Sequence, residues 1–212
     1  TSSLPPSSWS TRTYSVPCQV TLVRYRSGTP CIFFRDAWPD FTCLPNDDIV
    51  RRVYLNALAT KPNLKISASL IAFGGIGSTE SAWNSAEAFW RVYQDWRAWT
   101  QEGILDIAIP MVYKAEHTAT VRPQYDQWDA WLRGHLYNRA GMIGQGAFVN
   151  AIEGSLRQTR RALLPASGTN NLSGISFFSM ATSNIAVTNN PFAIPPATTP
   201  VRPFLEFASG LT

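Results

Sequence analysis

Gly103 to His117, GILDIAIPMVYKAEH, constrains this chain more than any other stretch. A glycine stop is followed by an apolar run rich in branched side chains, then by a polar tail carrying Tyr113, Lys114, Glu116 and His117. An unbroken apolar run of this kind predicts a strand buried on both faces, as parallel strands covered by helices are. Reactive side chains gathered at its carboxyl end fit an α/β barrel, in which the loops after the strands converge on one mouth.

The rest of the chain alternates around that strand. Asn46 is a good N-cap, Asp47 and Asp48 suit the positive end of a helix, and Ile49, Val50, Val53, Tyr54, Ala57 and Leu58 form one face until Pro62 stops it. Leu64 to Phe73 reads as a buried strand followed by the glycine loop GGIGS. Asn84 and Glu87 have the form of a capping box for a helix carrying Phe89, Trp90, Tyr93, Trp96 and Trp99 to a stop at Gly103. That stripe is read as core, and Asp95 within it as a partner of Arg91 or Arg97.

Pro123 is placed to start a helix with Trp128, Trp131, Leu132 and Leu136 on one side. A strand from Ala140 to Val149 is interrupted by glycines, which signal a close approach of backbone or ligand. A helix from Ile152 to Leu164, closed by Pro165, and a last strand from Gly174 to Ala181 complete the pattern. Near the start, Gln19 to Arg26 alternates as a strand that Gly28 and Pro30 end, whereas Cys31 to Pro45 has no period and is read as loop.

The order predicts four parallel strands joined by helices, with connections long enough for right-handed crossovers. A complete (β/α) barrel needs eight strands and typically ~250 residues, so the expected fold is α/β, a half TIM barrel. Residues 1–45 read as an N-terminal arm and degenerate segment, 46–188 as the half barrel and 189–212 as a proline-rich tail, with Phe204 to Phe207 docking to keep two rings from water.

Composition narrows the function. With 45% hydrophobic and 15% charged residues the 212-residue chain is that of a globular domain. The net charge of +4 comes from scattered arginines without a basic, aromatic-studded stripe, which argues against nucleic acid as partner. Cys18, Cys31 and Cys43 offer neither a disulfide framework nor a zinc pattern, and two histidines do not make a metal site. Phosphate loop, nucleophile elbow and HExxH stretch are absent, so no cofactor is expected. No run of 18 apolar residues and no charged, apolar leader occurs, so we expect no membrane span and any signal peptide removed or upstream.

Certain stretches carry a family likeness: VRRVYLNALATKPNLKISA, YQDWRAWTQEGILDIAIPMVYKAEH, IGQG and GISFFSMA, with QDWRxW, EGxxD and PMxYKxEH in that order. From about Val50 to Ala181 the chain resembles the C-terminal half of the glycosyl-hydrolase-like family 10 barrels, bacterial envelope or secreted proteins related to glycosidases acting on peptidoglycan and other polysaccharides. RSGTP and AWPDF extend the likeness upstream. It fails at TCLPNDD, where a basic helical stretch is expected, and at TRTYSVP, where the family's acid-bearing strand-four motif should lie.

The resemblance implies a polysaccharide partner and an extracellular or cell-envelope setting. Glycoside hydrolysis usually needs two carboxyl groups ~5 to 9.5 Å apart. Glu116 is the candidate acid, tuned by Lys114 and His117; for the second, Glu80, Asp36 and Asp40 are available and no motif selects among them. Tyr113 is the candidate substrate contact, since PMxY is similar to the Met-x-Tyr strand end of family 18 chitinases, where a tyrosine hydroxyl helps hold the N-acetyl group. Lys114 suits sugar hydroxyls or an acidic sugar, His117 a proton shuttle, Gln145 an amide presented between glycines, and Ser69 the barrel lining. Phe73 and Trp83 suit a sugar ring or the core, the core being preferred.

Each of these residues also has a plain structural alternative, and the missing strand-four acids leave a rival open: a non-catalytic envelope or carbohydrate-binding protein built on the same half barrel. Its open sheet edges imply association, as a homo-oligomer or within a larger envelope complex.

Overall fold

The computed structural model describes residues 20–24, 30–34, 46–165, 170–179, 188–197 and 210, the first two ranges and Asn46 by backbone alone. The expected arm before residue 18, Cys18, Asp36, Asp40, Cys43 and the docking of Phe204 to Phe207 lie outside the described residues.

Strand β1, Val20–Arg24, pairs antiparallel with β2, Pro30–Phe34, in a register running from Val20 opposite Phe34 to Arg24 opposite Pro30. The segment expected to be loop therefore supplies a strand. Pro30 opens that strand rather than ending the previous one, and a first strand residue is a place where the missing N–H does no harm.

The helix α1, Asn46–Thr60, leads to a four-stranded parallel sheet in chain order: β3 Ser67–Leu70, β4 Ile107–Pro110, β5 Ala140–Gly146 and β6 Gly174–Phe178. Its registers set Leu70 beside Pro110, Ile107 beside Ala140 and Gly146 beside Phe178. The expected half barrel of four parallel strands alternating with helices is present.

Successive strand residues face opposite sides, and the side bearing Ile66, Ala68, Leu70, Ala108 and Ile143 is covered. Against it pack Trp83, Trp96, Trp128, Trp131, Leu132 and Leu136, all buried. The last three tryptophans and Leu132 come from α3, Trp96–Glu102, and α4, Arg122–Gly134, whose first turn holds Pro123. Trp83 stacks on Trp131 with centroids 5.9 Å apart and planes 7° from parallel. The helix α5, Ile152–Leu163, closes the far end, where Ile152 and Leu156 meet Phe177 of β6.

The helix expected to run from Asn84 to Gly103 is broken. A 3-10 turn at Glu80–Ser85 and the short α2, Glu87–Trp90, precede a bend in which Tyr93 takes φ 54°, and α3 starts afresh at Trp96. Asn84 caps nothing. The break lets Asp95 act as the N-cap of α3, accepting from the Ala98 N–H at 3.2 Å and from the Trp83 indole at 2.8 Å. Arg91 and Arg97 pair instead with Glu87 and Glu80. Gly103 ends α3 in the left-handed conformation, φ 84°.

At the amino ends of the strands Asp106 is buried and accepts from the Ile66 N–H at 2.9 Å and from Arg139 at 3.0 Å. Its carboxylate clamps β3 to the start of β5, far from the carboxyl-end mouth.

Candidate functional site at the carboxyl ends of the strands

Register places one row of residues across the mouth. Met111 bridges Gly144, so two residues on Tyr113 stands abreast of Gly146, which is paired with Phe178. The row across three strands is therefore Tyr113, Gly146, Phe178. Phe73 follows β3, three residues past Leu70, and Lys114 beside Tyr113 donates to the carbonyl of Ala72 beside Phe73 at 2.9 Å.

Glycine at 146 is what lets the row close up. A β-carbon there would sit 3.0 Å from Tyr113 Cγ and 3.1 Å from Phe148 Cε1. With that space open, Tyr113 reaches over β5 to stack on Phe178, centroids 5.9 Å apart and planes 29° apart. Phe148, in the 3-10 turn Ala147–Val149, meets Tyr113 edge-on at 5.7 Å and Phe178 at 6.1 Å. The cluster is open to solvent, Phe148 being 41% and Phe178 52% exposed. Burial pushes the Tyr113 phenol above its ordinary pKa, so it keeps its proton as a hydrogen-bond donor.

The glycines of the fifth strand thus serve two different approaches. Gly146 admits the Tyr113 ring. Gly144 admits backbone, since a β-carbon there would lie 2.8 Å from the Pro110 carbonyl.

Ser69 lies in β3, beside Ile109, and is partly buried. Lys114 is buried and donates to the Ala72 carbonyl at 2.9 Å, tying the end of β4 to the end of β3. Burial lowers its amine to about 8, against the pull of the Glu87 charge.

Glu116 and Gln145 are placed away from the mouth, contrary to expectation. The Glu116 carboxylate is 0% exposed and accepts from Arg157 Nε at 2.9 Å, from both terminal nitrogens of Arg161 at 2.7 and 3.0 Å, and from Gln158 at 3.2 Å. Burial pushes this carboxyl up, but the guanidinium of Arg161, with Gln158 and Arg157, holds it below the usual range. Its N–H donates to Asn150 at 2.6 Å and its carbonyl accepts from Arg122 at 2.7 Å. Gln145 faces the opposite side of the sheet from Gly146: its amide donates to the Ser155 carbonyl at 2.8 Å and accepts from Thr159 at 3.0 Å. Both side chains fasten the strand ends to α5.

His117 is half-buried, and its Nδ1 is buried without a partner among the described residues. Glu80 sits on the 3-10 turn, bonded to His135 at 2.8 Å and Arg97 at 2.7 Å. Its carboxyl is lowered first by the His135 hydrogen bond and then by Arg97. Among the described residues no group of His, Cys, Asp and Glu is arranged to hold a metal ion.

Sequence reasoning missed Phe148 and Phe178 as mouth residues. Both stand at a strand end, Phe148 two residues past Gly146, and the signal was that placement of a large apolar ring where a strand reaches solvent.

Parallel strands with covering helices define the class: a partial (β/α) barrel. The family model described as glycosyl hydrolase-like 10 matches residues 18–161. The chain belongs to that family. No curated protein matches it.

Proposed function

We propose that the chain binds polysaccharide across the carboxyl ends of its four strands, with Tyr113 at the centre. The aromatic row carries this reading, because the apolar faces of sugar rings pack on aromatic rings while a phenol such as that of Tyr113 bonds their hydroxyls. An extracellular or envelope setting, with peptidoglycan glycan strands among the ligands, is part of the same proposal. In this reading Glu116 is a structural carboxylate, ionised and enclosed, rather than a proton donor.

A second reading, hydrolysis, is favoured by the family itself. It requires an acid and a nucleophile or base. Among the described residues Glu116, Glu80 and Asp106 are in ion pairs within the fold, and Asp36 and Asp40 stand beside Glu80 as candidates for the second carboxyl. Strand β2 lies against β3, whereas β6 has one ladder partner among the described residues, and that edge supports association as a homo-oligomer or within an envelope complex.

The test is binding and sugar release on insoluble peptidoglycan and chitin, comparing the protein with Tyr113→Ala and Glu116→Gln below their unfolding temperatures. We expect Tyr113→Ala to lose at least about tenfold in affinity, as loss of a central aromatic contact does, and Glu116→Gln to bind normally. Release of sugar by the protein but not by a folded Glu116→Gln variant would restore Glu116 as the acid. Unaltered binding by Tyr113→Ala would remove the mouth from the account.

A further inference from the structure

We propose that Phe73 is a ligand-stacking residue, and that a bound glycan runs across the strands from Phe178 over Tyr113 to Phe73. This rests on the polysaccharide reading and goes beyond it in assigning a residue, a direction and a length.

Two observations on Phe73 support it. Its ring is 49% exposed, yet the backbone around it is fixed by four side-chain hydrogen bonds. Gln94 accepts from the Ile71 N–H at 2.8 Å, and the Trp96 indole donates to the Ile71 carbonyl at 3.2 Å. Lys114 donates to the Ala72 carbonyl at 2.9 Å and the Trp128 indole to the Gly74 carbonyl at 3.0 Å. Single exposed apolar side chains are ordinary on protein surfaces. One whose flanking backbone is held from α3, α4, the loop before α3 and the segment after β4 is a preformed contact, with little ordering left to do on binding.

Position supplies the second argument. Phe73 follows β3, the strand next to β4, and the Lys114 bond to the Ala72 carbonyl at 2.9 Å ties the neighbour of Tyr113 to the neighbour of Phe73. Tyr113 already folds over β5 onto Phe178, centroids 5.9 Å apart, so a chain that also reaches Phe73 extends beyond that pair by one strand step, ~5 Å. A single sugar on Tyr113 and Phe178 leaves Phe73 untouched, so the assignment makes chain length a determinant of affinity.

The experiment is calorimetric titration with cello-, xylo-, manno- and chito-oligosaccharides of increasing length, using the protein, Phe73→Ala and Phe73→Trp. For at least one series, affinity should rise from the dimer to the tetramer. Phe73→Ala should bind the dimer normally and lose on the order of three- to tenfold of that rise, the range of one aromatic contact, and Phe73→Trp should restore it. Equal affinities of the protein and Phe73→Ala at every length, or an equal loss at every length, would overturn the inference while leaving the polysaccharide reading in place. Absence of binding to every series would overturn both.

Discussion

Glu116 shows how strongly surroundings decide what a carboxylate does. Buried ion pairs add little net stability when intact, but removing one partner leaves uncompensated charge and typically costs about 3–5 kcal/mol. Glu116→Gln leaves Arg161 and Arg157 facing a neutral amide, and we expect a loss near the lower end of that range in urea unfolding. The sign with pH follows from the lowered carboxyl: its stabilisation is complete above the unfolded carboxylate pKa and is lost as pH falls through the lower folded value. Acid unfolding monitored by tryptophan fluorescence should therefore show a smaller drop in stability below the ordinary carboxylate range for the variant than for the protein.

Lys114 titrates in the other sense. Its amine is lowered from 10.5 to about 8, so between those values the unfolded chain binds the extra proton and this residue's contribution to stability rises with pH. Each unit of such a shift is worth roughly 1.4 kcal/mol. Stability measured at pH 7 and pH 9.5 should show Lys114→Met gaining most over the protein at pH 7, and an equal difference at both values would contradict the buried amine.

At the scale of elements, the two glycines of β5 separate fold from function. Gly144→Ala drives a β-carbon into the Pro110 carbonyl and should destabilise by about 1–3 kcal/mol, as overpacking does. Gly146→Ala meets the Tyr113 and Phe148 rings, so its main effect should be on glycan affinity. Thermal unfolding and calorimetry on the two variants check this, and a Gly146→Ala variant that binds normally would contradict the role given to that gap.

The same strands show what a sequence can disclose. The runs at Leu64 to Phe73 and Gly103 to His117, and the α4 start at Pro123, were legible because burial and capping write themselves into local pattern. The bend between α2 and α3 was not, since aromatic spacing continues through it while Asp95 turns to cap the new helix. At the mouth, strand ends could be located but not the side each residue faces. That Gly146 rather than Gln145 shares a face with Tyr113 is a matter of register between distant strands. Arg157 and Arg161, four apart on one helix face, were the available sign that an acid lay buried against α5.

Taken as a whole, the described residues hold an antiparallel pair and a four-stranded parallel sheet, where a complete barrel has eight parallel strands. Strand β6, with one ladder partner among the described residues, is the edge expected to find another. Sedimentation at micromolar concentration should give a species larger than 23.5 kDa, and a compact monomer would contradict association. Among the described residues no helix is long and apolar enough to cross a membrane.

If ligand lies on the carboxyl-end row, amide chemical shifts followed during titration with an oligosaccharide that binds will show it. The perturbed amides should gather at Phe73, Tyr113, Gly146, Phe148 and Phe178. Perturbations gathered instead on the outer side of α5, around Arg157 and Arg160, would contradict it.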